Sequence, residues 1–407
     1  MDAKALTAQI LQRCEVLSHC SDVPGQIHRL FLSPATRTVH RYLTEWMQEA
    51  GLEVRTDPIG NLRAVKRSSN PKARTFMVAS HIDTVPNAGK YDGILGVLMG
   101  IALTGKLSEE DLQHHLEIVA FSEEEGVRFQ QPFLGSSVLA GTFQPEWLKR
   151  KDASNQSLAE TLFKWGLDQN RIPLEAYEPR ELLGYFEIHI EQGPVLAERK
   201  LPVGVVSGIV GQSRLNITFL GQAGHAGTTP MPMRLDALAG TAEFVAFTED
   251  YALRNPGLVA TVGKMDVKPN TSNVIPGQVT CSLDVRHLSD EKRLQAVQDL
   301  LHEAHMIAQK RKLGLQHELP LDQKAVICED RLMESLMEAC DFCGIPAFTL
   351  PSGAGHDAMV MAQVTDVSML FVRSPNAISH HPDETVLFED VEAALKASGQ
   401  FLNHILR

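Results

Sequence analysis

The chain has no cysteine framework, no excess of positive charge and no long apolar run, and each absence removes a class of function. Its six cysteines, Cys14, Cys20, Cys281, Cys328, Cys340 and Cys343, are scattered without zinc-finger spacing. Cys340 and Cys343 form a Cys-x-x-Cys, but on an expected helix and without thioredoxin-like context, so they read as an inert pair. The formal net charge is −12, which argues against nucleic acid and anionic membranes as partners, because both demand a basic surface. A small anion remains compatible, provided particular arginines are aimed at it. The most apolar window, Ile94 to Leu103, is too short to span a bilayer, and no leader of the secretory or transit kind opens the sequence. The expectation is a cytoplasmic protein.

What remains is an ordinary globular composition, 43% apolar and 22% charged, over 407 residues. That length suggests two domains, one split by the other. Helical spacing marks Leu6 to Leu17, and Ser33-Pro34 caps a second helix that runs to Gly51. Asp57-Pro58-Ile59-Gly60 reads as a turn between two strands. Gly93 to Leu107 is apolar nearly all round and is expected to be a buried helix. Between Phe129 and Pro179 the pattern weakens.

From about residue 209 to 325 the character changes to alternating strands and amphipathic helices. Strands are expected at Arg214 to Leu220, Leu258 to Val267, Asn273 to Arg286 and Leu315 to Leu319, with helices at Leu235 to Leu253 and Asp290 to Arg311. This is the ferredoxin-like order. The domains are therefore expected at 1–208 with 326–407, and at 209–325.

Buried strands recur in the split domain, and polar residues gather at their ends. Phe76-Met77-Val78-Ala79 leads into His81, with Asp83 two residues on and Asp92 in the following loop. Leu116 to Phe121 ends in Ser122-Glu123-Glu124-Glu125-Gly126, whose carboxylates repel one another unless a cation is present. Tyr185 to Ile190 carries His189, and Val367 to Val372 leads to a loop with His380 and His381. Any one of these histidines alone reads more readily as a satisfied strand-end residue. Together at one sheet edge, where open α/β sheets bind ligands, they are a donor set for a divalent transition metal, and zinc suits mixed nitrogen and oxygen ligands. A carboxylate two residues after a ligating histidine, as Asp83 is to His81, suits orienting its ring.

Ser80-His81-Ile82-Asp83-Thr84, Tyr91-Asp92-Gly93, Glu123-Glu124-Glu125-Gly126, His189-Ile190-Glu191-Gln192-Gly193, Gly224-His225-Ala226-Gly227-Thr228-Thr229-Pro230-Met231 and Ser352-Gly353-Ala354-Gly355-His356-Asp357-Ala358 run in order through the chain. Together they resemble the amidohydrolase branch of the aminoacylase/carboxypeptidase superfamily, which includes allantoate amidohydrolase, N-carbamoyl-L-amino acid hydrolase and β-ureidopropionase. The resemblance implies an α/β, mixed-sheet di-zinc catalytic domain with an inserted ferredoxin-like α+β lid and dimerisation domain. It implies two divalent ions, most simply Zn2+ with Mn2+ as an alternative, one on His81, Asp92 and His189 and the other on Asp92, Glu125 and His380.

Glu124 would be the general base that deprotonates the attacking water and later protonates the leaving nitrogen. His225 would donate to the developing oxyanion, reaching the active site of a partner in a homodimer. Arg214, Asn273 and Arg286 match the substrate-carboxylate binders, with a surface salt bridge as the other reading of the arginines. Gln192 and His356 are expected to line the cleft, with roles left open. The implied substrate is a small anionic ureido or carbamoyl acid, with allantoate first and an N-carbamoyl-L-amino acid or an N-carbamoyl-β-amino acid as alternatives. A catalytically inactive binding module of the same fold is the rival of a different class.

Overall fold

The computed structural model describes residues 2–105, 107 and 112–407. The chain divides into two compact units, Met1–Ser207 with Cys328–Arg407, and Gly208–Ile327. It passes between them twice, and the passing segments pair antiparallel, Val326 with Ile209 and Ile327 with Gly208.

The first unit is built on a mixed sheet in the spatial order Glu53–Thr56, Leu62–Lys66, His115–Phe121, Thr75–His81, Leu182–Ile190, Val367–Val372, Val203–Ile209, with Thr349–Ser352 pairing beside the last. Four neighbouring strands, His115–Phe121, Thr75–His81, Leu182–Ile190 and Val367–Val372, are mutually parallel, so their C-terminal ends share one edge. Nearly every residue in them is buried, as expected for parallel strands covered on both faces. The Ile94–Thr104 helix is buried at every position. It lies directly on the sheet because Gly96 has no side chain: a Cβ there would stand 2.0 Å from the Ile188 carbonyl oxygen. Helices Ala3–Ser18, Asp330–Phe342 and Phe388–Leu406 pack against the same core. A satellite core around Phe31, Phe129, Leu134 and Leu162 orders the stretch where the sequence pattern is weak.

The second unit has the strand-helix-strand-strand-helix-strand succession, in the sheet order Met265–Lys268, Gln278–His287, Gly211–Leu220, Gly314–Gln323. Helices Ala237–Arg254 and Asp290–Arg311 cover one face, over Leu215, Ile217, Phe219, Leu283 and Val285. Two expected strands are broken. Val259–Thr261 and Met265–Lys268 both pair with Gln278–His287, but the register shifts by one residue between them around Gly263, which is a bulge. Asn273 to Arg286 is interrupted at Pro276-Gly277 into Val274–Ile275 and Gln278–His287. Pro320 is tolerated in Gly314–Gln323 because that strand lies at the sheet edge and bulges there.

Candidate metal centre and active site

The parallel edge brings His81, Glu124, Glu125 and His189 together, and two loops add the rest. The first carries Asp92, whose backbone N–H and that of Tyr91 donate to Glu384 Oε1 at 3.1 and 2.9 Å. Gly93 follows at φ +68°, and a Cβ there would lie 2.5 Å from His81 Nε2. Glycine at 93 is thus the condition for His81 and Asp92 to approach. The second loop carries Ser379 and His380, the latter at φ +56°. Gln192 also has positive φ, at +60°. A non-glycine residue held in this region costs on the order of 1 kcal/mol and persists where surrounding structure imposes it.

His81 Nδ1 lies 3.1 Å from the Asp83 carbonyl oxygen, and His189 Nδ1 lies 2.9 Å from that of Ile190. A carbonyl only accepts, so both Nδ1 atoms carry the hydrogen and both Nε2 atoms present lone pairs. Those Nε2 atoms are 3.4 Å apart, and Asp92 Oδ1 lies 3.6 Å from one and 3.2 Å from the other. Asp92 Oδ1 is buried without a hydrogen-bond partner. Three lone-pair donors converging on one point with no proton among them fit a cation.

Asp92 Oδ2 faces the other way, 3.2 Å from His380 Nε2, which is 3.6 Å from Glu125 Oε1. Two donor groups thus share Asp92: His81, Asp92 and His189, and Asp92, Glu125 and His380. A third group, Glu187, His189 and His356, lies beside them. Tyr185 and Ala358 both donate to Glu187 Oε2 while Oε1 is buried without a partner, and His356 Nε2 lies 2.9 Å from Ser352 Oγ.

The electrostatics agree that positive charge belongs here. Burial opposes ionisation of Asp92, yet the surrounding imidazoles of His189, His380 and His81 hold its carboxyl well below the ordinary range. Burial likewise opposes the His81 imidazolium, and Asp83 and Asp92 outweigh it, raising that ring well above its ordinary value. Burial first, then Asp92, lifts Glu125 to about 7. Glu124 is raised well above the carboxylate range, chiefly by burial. A buried carboxyl beside the donor groups is placed to exchange a proton.

Asp83 supports the centre in two ways. Its carbonyl meets the His81 ring, and its carboxylate accepts from the Glu124 and Glu125 backbone N–H groups at 2.9 and 3.0 Å, which fixes the glutamate run. Gln192 Nε2 donates to Asp92 Oδ2 and Ser379 Oγ, each at 3.1 Å. The His356 ring meets that of His189 edge to face with centroids 4.6 Å apart, and burial, then His189, holds it well below its ordinary value. Ser379 and Glu384 went unread in the sequence, where they look like a polar turn.

In the second unit, Arg214 and Arg286 meet on Asp284, also unread. The signal was available, since residues two apart on a strand share a face. His225 and Asn273 are exposed and adjacent, on the short pairing of Gly224–His225 with Val274–Ile275. The main ladder runs from Gly211 opposite His287 to Leu220 opposite Gln278, and the pairing of His225 with Val274 belongs to a separate two-stranded sheet.

The model of peptidase family M20/M25/M40 matches residues 77–404. The chain belongs to this family. The family is metal-dependent, which accords with the donor groups around Asp92. An N-carbamoyl-L-amino acid amidohydrolase of Geobacillus stearothermophilus is 40% identical over 385 residues, 94% of each chain. An allantoate deiminase of Arabidopsis thaliana is 39% identical over 436 residues, covering 98% of this chain and 82% of that protein. Among solved structures, an amidase of the hydantoinase/carbamoylase family from Burkholderia multivorans superposes with a TM-score of 0.92 at 33% identity, over 98% of each chain. Among the described residues, no helix is long and apolar enough to cross a membrane.

Proposed function

We propose that this M20-family enzyme hydrolyses a linear carbon–nitrogen amide bond of a small ureido acid, with allantoate as substrate and ammonia and carbon dioxide released. The observation that carries the reading is one carboxylate, Asp92, shared by two sets of imidazole and carboxylate donors, with the raised carboxyl of Glu124 in the same run as Glu125. Two divalent ions, most simply Zn2+ with Mn2+ as an alternative, would be held by His81, Asp92 and His189 and by Asp92, Glu125 and His380, supplying Lewis acidity to the scissile carbonyl and acidity to the attacking water.

Glu124 takes the proton from that water and returns it to the departing nitrogen. Gln192 keeps Asp92 oriented through its amide N–H. Arg214, Arg286 and Asn273 receive the substrate's carboxylate, and His225 donates to the oxyanion. Arg214 lies in the main sheet of the second unit, and His225 lies beyond the break at 221–223 in a separate two-stranded pairing. We propose a homodimer in the cytoplasm, in which His225 reaches the partner's site.

The Geobacillus stearothermophilus relative supports a second reading, hydrolysis of an N-carbamoyl-L-amino acid. Allantoate offers two polar ureido arms, which suits the donors Gln192, Arg214, His225, Asn273 and Arg286. The test is ammonia release measured side by side on allantoate, ureidoglycolate, N-carbamoyl-β-alanine and several N-carbamoyl-L-amino acids. Turnover of allantoate above about 10⁴ M⁻¹s⁻¹ in kcat/KM supports the first reading. An inert allantoate beside an apolar N-carbamoyl-L-amino acid that reaches this value replaces it with the second.

A further inference from the structure

Asp284 lies between the two arginines on the open face of the second unit's sheet. It is the register partner of Arg214 across the ladder, and Arg286 returns to the same face two residues later. Arg286 donates through Nε to Asp284 Oδ1 at 2.9 Å and through Nη2 to Oδ2 at 3.1 Å. Arg214 donates through Nε to Oδ2 at 3.1 Å, and the Gln212 amide N–H reaches the same oxygen at 2.6 Å. Burial opposes ionisation of Asp284, but the hydrogen bond and charge of Arg286, with Gln212 and Arg214, hold its carboxyl below the ordinary range.

A guanidinium has a side edge that includes Nε and an end edge of its two Nη atoms, and either can grip a carboxylate. Both arginines use Nε on Asp284. Among the described residues, Arg214 has no other side-chain hydrogen bond, so its Nη pair is left to recognise a ligand. Two guanidiniums held close repel each other, and one carboxylate draws them together.

We propose that Asp284 is a positioning residue for substrate recognition, gathering Arg214 and Arg286 into one receptor for the substrate's carboxylate without itself touching the substrate. This rests on the reading of the two arginines as carboxylate binders given above. A carboxylate that merely competed with substrate for them would act with the opposite sign, so the direction of the KM change separates the two roles.

The experiment measures kcat and KM for the wild-type dimer, Arg286→Ala, Asp284→Asn and Asp284→Glu. The substrates are whichever of allantoate and an N-carbamoyl-L-amino acid turns over faster, and its carboxamide counterpart, with thermal unfolding as the check on folding. Asp284→Asn is expected to raise KM for the acid by about tenfold or more, the scale of a lost charged hydrogen bond, with kcat within about threefold of wild type. KM for the carboxamide should hardly move. Asp284→Glu keeps the charge and should recover part of the loss. If Asp284→Asn does not fold, Asp284→Glu carries the test alone, with a smaller KM rise confined to the acid. An unchanged or lowered KM in a folded variant, with Arg286→Ala still raising KM, overturns the role of Asp284. If Arg286→Ala also leaves KM unchanged, the carboxylate-site reading itself has failed.

Discussion

The site residues of the two units are held in opposite ways. In the first unit His81, Asp92, Glu124 and His189 are buried, and Asp92 Oδ1 and Glu123 Oε2 have no hydrogen-bond partner. In the second, Arg214, His225 and Asn273 are exposed, and Arg214 and Arg286 are already answered by Asp284. An unanswered buried donor set is costly in water-free surroundings, and that cost is what a cation relieves. Exposed charges answered by a neighbour cost little and can be offered to a ligand. The buried set is thus suited to holding a cation, and the exposed set to meeting a ligand.

The sharpest test of this contrast is Glu124→Gln. Turnover should fall by about three orders of magnitude with metal content unchanged, because the amide keeps the shape and moves no proton. Glu125→Gln should instead weaken metal binding, as read by elemental analysis after dialysis. Reversed phenotypes would shift the assignment by one residue within the glutamate run. Mixing inactive His225→Ala with inactive Glu124→Gln chains comes next. Random exchange should restore about a quarter of wild-type activity, since half the dimers are mixed and each has one intact site. No recovery in demonstrably mixed dimers would return His225 to its own chain's site or remove it from catalysis.

Gly93→Ala separates burial from backbone strain. It places a methyl against His81 and should abolish tight metal binding, whereas Gly51→Ala, also at positive φ but with nothing within 4 Å of the added Cβ, should cost about 1 kcal/mol of stability and leave metal content intact. Equal metal loss in both would assign the effect to the backbone alone.

The smallest effect lies outside the site. His40 is buried against Trp165, and burial, then Arg37, lowers its ring to about 4. Between that value and the ordinary 6.5 the unfolded chain binds a proton that the folded chain refuses, so stability is full above the upper value and declines as pH falls toward the lower. From pH 7 to pH 5 the loss should be about 2 kcal/mol by urea unfolding, and His40→Phe should remove it. A pH slope unchanged in His40→Phe would place the titration elsewhere.

The parallel strands were legible because strands covered on both faces read as continuous apolar runs, and His81 and His189 stand at their ends. The buried Ile94–Thr104 helix was legible for the same reason, being apolar on every side. The shared role of Asp92 rested on a motif resemblance, and its two-sided geometry became visible only with the loop in place. Glu384, Ser379 and Asp284 escaped notice because each contacts its partner through folding rather than through a recognisable spacing, Asp284 excepted, whose two-residue offset from Arg286 went unused. The breaks at Gly263 and Pro276-Gly277 escaped because a bulge is set by the register of the partner strand, which one strand's own residues do not encode.

By itself the sequence determined the polar residues gathered at the ends of apolar runs and the excess of negative charge, since composition and periodicity are local properties of the chain. Tertiary structure alone decided that Gln192 and His380 sit in left-handed backbone beside Asp92, that Glu384 holds the Asp92 loop from 292 residues away, and that Arg214 and His225 stand in separate sheets. Those facts depend on which distant segments meet, and no local pattern of residues specifies a distance between them.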